Sequence, residues 1–353
     1  MLSRRHFLIA LIALDLAGCS STQLTRLPAG DGVVVNENGW EYHTVAIAPM
    51  NEAQIREMAP QATKAQIQGI LSNIPKEAHY WQAPHVPSQN DARPAREPVD
   101  PNCPVGMLDV RGQMKMDSPT KGPIEYLQRS NQVCKRWLGN DPTDFARRCA
   151  EFSEPAWEHI SQDLTTKAIK PFCIDRYEYP NKKGASPVID VSWYEAIGIC
   201  NTEGKRLCTE EEWTFACEGE AALPYPYGYE RSDKKCNIDK AWLDFTKQKL
   251  TPRDQASGGL AVLWKGEPSG TYDECVSPFK VHDMTGNVDE WTVSKSSGIG
   301  FKGTEVVRGK KVNHYPSMLK GGYWSTVRDQ CRPATGAHDE TTQFYQMGFR
   351  CCK

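Results

Sequence analysis

Thirteen cysteines in 353 residues constrain this chain more than any other feature. Exposed thiols in such number are a liability in a reducing compartment, so the count implies either metal sites or an oxidising environment in which sulfurs pair. The N-terminus favours the second. Arg4 and Arg5 precede an apolar run from Phe7 to Leu14, and Leu16-Ala17-Gly18-Cys19 follows, which resembles the lipobox of exported bacterial lipoproteins. The run falls well short of the ~20 apolar residues that span a bilayer. Residues 1–19 are therefore expected to be a lipoprotein signal peptide, with Cys19 lipidated and the mature protein anchored in the cell envelope. Ser20 in place of Asp after that cysteine resembles lipoproteins sent to the outer membrane. Ser3-Arg4-Arg5-His6-Phe7-Leu8 also resembles a twin-arginine export motif, a route the ordinary signal reading leaves open. Without Cys19 twelve cysteines remain, an even number. No Cys-x-x-Cys pair occurs among them, which counts against zinc.

Charge excludes one function class. With 42 Lys and Arg against 44 Asp and Glu, the formal net charge is −2, and no nucleic-acid partner is expected. The 27 glycines, 24 prolines, 10 tryptophans and 13 tyrosines point to a loop-rich fold held by aromatic packing rather than to a helical bundle. Residues 20–100 read as a polar N-terminal segment. Within Asn51 to Ile74, Ile67, Ile70, Leu71 and Ile74 recur at helical spacing, interrupted upstream by Pro60. Six prolines between Pro84 and Pro104 then read as a semi-rigid linker, which places a boundary near residue 100. Residues 101–353 carry the twelve remaining cysteines and eight of the ten tryptophans.

Two helices in that region announce themselves. Ser192-Trp193-Tyr194-Glu195 is a capping box, followed by Ala196, Ile197 and Cys200 on the face of Trp193, with Gly204 as a stop. Thr209-Glu210-Glu211-Glu212 is a second, followed by Trp213, Ala216 and Cys217 on one face and by Gly219. Each helix turns an aromatic ring and a cysteine toward the same interior.

These residues carry a family resemblance. Val191 to Ala196, Gly204 to Leu207 and Thr209 to Trp213 resemble the helix pair of the formylglycine-generating enzymes, or sulfatase-modifying factors. Three further blocks agree in order: Tyr227-Gly228 with Asn237-Ile238, His282 to Trp291, and Lys320-Gly321-Gly322-Tyr323-Trp324 with Gly348-Phe349-Arg350. The resemblance covers roughly residues 100–353 and implies one irregular, loop-rich, disulfide-rich α+β domain related to the C-type lectin fold.

What the resemblance implies for chemistry is mixed, because one fold hosts several functions. The family's oxidases use two copper-binding cysteines shortly after the Gly-Gly turn. Here the first would fall near Thr326, and Cys331, counted back from the terminal Gly-Phe-Arg block, fits a structural cysteine instead. No copper is therefore expected. The resemblance also implies two disulfides, Cys200 with Cys351 and Cys217 with Cys331. The first would close a loop of about 150 residues, for which chain entropy sets a ceiling of about 5 kcal/mol. Of the other eight, Cys103, Cys134, Cys149 and Cys173 are expected to pair among themselves, and adjacent Cys351 and Cys352 to take different partners, with Cys208 a candidate for Cys352.

Calcium is implied at Asn287 and Glu290, with Asn237 and the Ile238 carbonyl part of a second site; oxygen ligands suit a hard cation. A ligand groove is expected beside the Gly-Gly turn, with Trp324, Arg328, Arg332 and His338 offering aromatic and guanidinium contacts to a peptide, protein or glycan. A Ser325, His314, Asp329 triad can be written on paper, but nothing in the spacing fixes its geometry. The expectation is a lipid-anchored binding module without thiol oxidation; the competing expectation is an extracytoplasmic oxidase of the same superfamily, either one using other residues, as its pyoverdine-maturation branch is implied to do, or one that generates formylglycine.

Overall fold

The computed structural model describes residues 32–84, 99–138, 148–294, 303–307, 310–314 and 316–353. Cys19 and its lipobox lie outside the described residues. In chain order the first elements are β1 (Gly32–Val35), β2 (Glu41–Ala46), α1 (Glu52–Met58), α2 (Lys64–Asn73) and β3 (Glu77–Gln82). There follow β4 (Met107–Lys115), α3 (Ile124–Gln128), β5 (Cys134–Leu138), β6 (Arg148–Phe152), α4 (Glu154–Ser161), β7 (Thr166–Asp175) and β8 (Val188–Ile189). The helix pair is α5 (Trp193–Thr202), β9 (Arg206–Leu207) and α6 (Glu210–Glu218), with α7 (Ser257–Leu263) after a long irregular stretch. The C-terminal part holds β10 (Asp289–Val293), β11 (Gly303–Val307), β12 (Lys310–His314), β13 (Ser317–Lys320), β14 (Ala334–Thr335), β15 (Met347–Phe349) and β16 (Cys351–Cys352).

The strands make three small sheets, ordered β1-β2-β3-β8, β4-β7-β16-β9 and β14-β13-β10-β15, beside the hairpins β5/β6 and β11/β12. This is the mixed, loop-rich α+β architecture expected from composition. Residues 32–82 differ from the polar segment with one short helix that their sequence implies. They fold as three strands and two helices, and β3 pairs with β8 of the main fold through Trp81↔Ile189 and Gln82↔Val188. Pro60 divides the helical pattern into α1 and α2, each with its own capping box, Asn51 with Gln54 and Thr63 with Gln66. The physical reason for docking is aromatic: Trp40 and Trp81 are buried in one cluster with Trp324 and Tyr345 of the C-terminal half.

Both expected capping boxes form. In α5 the Ser192 hydroxyl accepts from the Glu195 N–H, and the Glu195 carboxylate accepts from the Ser192 N–H at 2.8 Å. The same carboxylate also receives the His79 N–H from β3 and the Arg253 guanidinium. One cap residue thus ties the N-terminal sheet, the helix and the loop before α7 together. Buried tryptophans need a partner for the indole N–H, and five of them find a backbone carbonyl or carboxylate: Trp193 on Thr292, Trp291 on Val191, Trp81 on Arg253, Trp157 on Ala221 and Trp213 on Glu290.

Six disulfides hold these parts: Cys103–Cys173, Cys134–Cys149, Cys200–Cys351, Cys208–Cys352, Cys217–Cys331 and Cys236–Cys275. Cys351 and Cys352 point to opposite faces of β16 because side chains alternate along a strand. One therefore reaches α5 and the other Cys208, just after β9. Peptide mapping without reductant is expected to return these six pairs, and replacing Cys200 and Cys351 together by Ala to lower unfolding stability by about 2–5 kcal/mol. A free thiol at Cys200 or Cys351 in exported protein would contradict this arrangement.

Candidate functional site

The site is built on β10, whose five residues are all buried. A strand reading Asp289-Glu290-Trp291 with both acids buried must supply a partner on each of its faces. On one face Glu290, 1% exposed, receives the Arg350 guanidinium in a two-point contact of 2.8 and 2.7 Å. Trp213 of α6 adds its indole N–H to the same carboxylate at 2.8 Å. Arg350 is fully buried and also donates to the His282 carbonyl at 2.9 Å. On the other face Asp289 is paired with Arg328. Burial pushes the Asp289 carboxyl up, while Arg328, His338 and the Gly322 N–H pull it down.

The Gly321-Gly322 turn sits against this pair, and both glycines have positive φ, 86° and 76°. A Cβ on Gly322 would fall 2.2 Å from Asp329 Oδ1, and one on Gly321 2.8 Å from the Met284 carbonyl, so the turn admits no larger residue. Asp329 itself is fully buried and paired with Arg231, which also holds Asp239 at 2.8 Å. Burial pushes the Asp329 carboxyl up to about 7 against the pull of Arg231. Behind the turn, Lys320 is buried, donates to the Arg332 carbonyl at 2.7 Å, and is pushed by burial down to about 8.

The four expected groove residues divide. Arg328 pairs with Asp289 beside the turn, and His338 lies within electrostatic reach of the same carboxylate. Trp324, 2% exposed, is core, packed edge-on to Trp264 at 4.8 Å. Arg332 turns away to Glu218, with contacts of 2.6 and 2.5 Å. Ser325 and Thr326 occupy the place where the family resemblance puts the first active-site cysteine, and Cys331 is bonded to Cys217. The paper triad is not assembled: Asp329 is committed to Arg231, no described hydrogen bond joins it to Ser325, and the His314 side chain lies outside what is described.

The calcium residues do not fit a cation as a set. Glu290 has both oxygens engaged by Arg350 and Trp213. Asn287 accepts from Asn237 at 2.8 Å and donates to Glu178 at 2.7 Å, so it bridges protein groups. The Asn237 carbonyl accepts from the Asn287 N–H, and the Asn237 Oδ1 is buried without a hydrogen-bond partner. Among the described residues no cluster of three or more His, Cys, Asp or Glu is disposed to hold a metal.

Sequence reasoning missed Asp289 and the Arg231–Asp329 pair. The signal was present in the two consecutive acids between Val288 and Trp291, an apolar setting that surface carboxylates do not occupy.

The disulfide-tied α+β fold, with a Gly-Gly turn set against a buried Asp–Arg pair, defines a recognisable class. The chain belongs to the sulfatase-modifying factor enzyme 1-like domain family, which matches residues 147–353. It is 32% identical over 182 residues to serine/threonine-protein kinase pkn1 of Chlamydia caviae, covering 47% of this chain and 24% of that protein. It is 34% identical over 110 residues to inactive C-alpha-formylglycine-generating enzyme 2 of Bos taurus, covering 31% and 33%. The formylglycine-generating enzyme of Mycobacterium tuberculosis is 27% identical over 272 residues, covering 73% and 78%. The chain thus spans a quarter to a third of the length of the first two relatives.

Two outcomes follow from this geometry. Arg350→Met leaves Glu290 buried with no cation and is expected to cost about 3–5 kcal/mol in urea unfolding, with part recovered by adding Glu290→Gln. His282 gives a pH signature. Burial and the nearby Lys183, Arg176 and Arg350 push it down to about 4, so between its ordinary value near 6.5 and about 4 the unfolded chain binds more protons at this position. Its contribution is present above pH 6.5 and lost as pH falls through 4. The melting temperature of His282→Gln is expected to fall less steeply than wild type across that window, and parallel curves would refute it.

Proposed function

We propose that this protein is a lipid-anchored envelope lipoprotein whose domain binds a peptide, protein or glycan beside the Gly-Gly turn and does not oxidise thiols. The observation that carries the reading is the state of sulfur around the turn. Copper(I) chemistry needs soft thiolate ligands. The positions after Gly322 offer the hydroxyls of Ser325 and Thr326, and the next cysteine along the chain, Cys331, is in a disulfide with Cys217. Arg328 and His338, beside Asp289, are the polar groups that recognise the ligand. The anchor at Cys19 follows from the lipobox and is part of the same proposal. A peptide containing Cys-x-Pro-x-Arg, incubated with purified protein, copper and oxygen, is expected to keep its thiol by mass measurement. Conversion to the aldehyde above a no-protein control would overturn the reading and restore the oxidase alternative.

A further inference from the structure

Single exposed apolar side chains are ordinary on a protein surface, whereas grouped ones carry information. Trp242, Leu243 and Val262, at 50%, 38% and 50% exposure, all fall in the excursion 239–265. Trp242 stands edge-on to Phe245 at 6.2 Å, and Phe245 edge-on to Phe344 at 4.8 Å. The indole is therefore held outward on an aromatic stack rather than trailing from a loose loop. Ala241 beside it is exposed, and so are Lys247 and Lys249 further along, neither in an ion pair among the described residues. Asp244, between Leu243 and Phe245, turns its Oδ1 back onto the Thr246 N–H and hydroxyl, at 2.9 and 2.6 Å, bonds that favour its charged form. The exposed part of the loop thus combines Trp and Leu with two lysines and one acid, a net charge of +1 over residues 241–249.

That chemistry fits one partner. Tryptophan and leucine settle at the boundary between headgroups and acyl chains, and lysines are drawn to anionic headgroups. The β1–β2 turn joins the excursion through Asn38, which donates to the Ser257 carbonyl at 3.1 Å, and through Trp40 against Trp264 at 5.9 Å. β1 in turn begins 13 residues after Cys19, a tether of at most about 45 Å when extended. We propose that Trp242, Leu243, Lys247 and Lys249 form a face that docks on an anionic phospholipid bilayer. The proposal is independent of the ligand reading of the Gly-Gly turn, and its test does not require lipidation.

The chain from Ser20 onward, which retains every described residue, is mixed with vesicles of phosphatidylethanolamine and phosphatidylglycerol or of phosphatidylcholine alone. Cosedimentation and a blue shift of tryptophan emission are expected with the anionic vesicles, weakened by salt. Trp242→Ala with Leu243→Ala is expected to reduce binding ~10-fold or more, and Lys247→Glu with Lys249→Glu to remove its salt-sensitive part. Val105→Ser, at a position 82% exposed in the lead-in to β4, is expected to change nothing. Unchanged unfolding midpoints confirm that the variants fold. Absence of binding to anionic vesicles, or equal binding by the Trp242/Leu243 variant, would overturn the proposal. Self-association lost in that variant without vesicle binding would assign the face to a second copy and overturn it equally.

Discussion

The ion pair between Glu290 and Arg350 is the contact on which the rest of the domain is organised. Two opposite charges are removed from water completely, which is tolerable only when each is fully hydrogen-bonded. Meeting that condition fixes four segments at once. Arg350 must follow β15, Glu290 must sit in β10, Trp213 must come from α6, and the His282 carbonyl must face the guanidinium. The strand register obeys: Glu290 lies opposite Gly348 in parallel pairing with β15 and opposite Lys320 in antiparallel pairing with β13. Displacing β10 by one residue would exchange Asp289 for Glu290 and leave both without their arginines.

The disulfides extend this constraint rather than create it. Cys351 and Cys352 follow Arg350 directly, and their bonds to Cys200 and Cys208 attach the strand end to α5 and to the entry of α6. The three consecutive residues Arg350 to Cys352 therefore carry one buried cation paired with β10 and two cross-links, to α5 and to Cys208. No described helix is longer than ten residues and no described sheet has more than four strands, so no single element dominates the core. Cross-links that remove unfolded-state freedom, together with indoles whose N–H groups are satisfied, supply what regular elements do in other folds.

Legibility in the sequence followed the range of the interaction. The helix pair was readable because a capping box is a local contact within four residues and the aromatic and cysteine spacing is a single helix face. The family blocks made the C-terminal architecture readable as well. Within residues 32–82 the helical spacing and its break at Pro60 were readable, whereas the strands were not, because their pairing with the main fold is long-range: Trp81 meets Ile189 more than a hundred positions away. The capping boxes there end in Gln rather than Glu, a weaker sequence signal for the same geometry. At the site, Glu290 was noticed as an oxygen donor, but whether an oxygen serves a metal or a guanidinium depends on where Arg350 folds. Trp324 and Arg332 were assigned to a groove from their nearness to the turn in sequence. Trp324 instead packs in the aromatic core and Arg332 pairs with Glu218.

The Gly-Gly turn shows why scaffold and chemistry separate in this chain. Its two positive φ angles and its contacts to Asp329 Oδ1 and the Met284 carbonyl are backbone requirements, met by any sequence that retains the glycines. The residues that follow are under no such demand. Here they place Arg328 on Asp289 and Asp329 on Arg231, filling the space behind the turn with two buried ion pairs. Those pairs hold the loop without any thiol, so the fold tolerates hydroxyls at Ser325 and Thr326 and a disulfide at Cys331. A scaffold held by Glu290, Arg350 and the cross-links leaves the sequence after the turn free to vary.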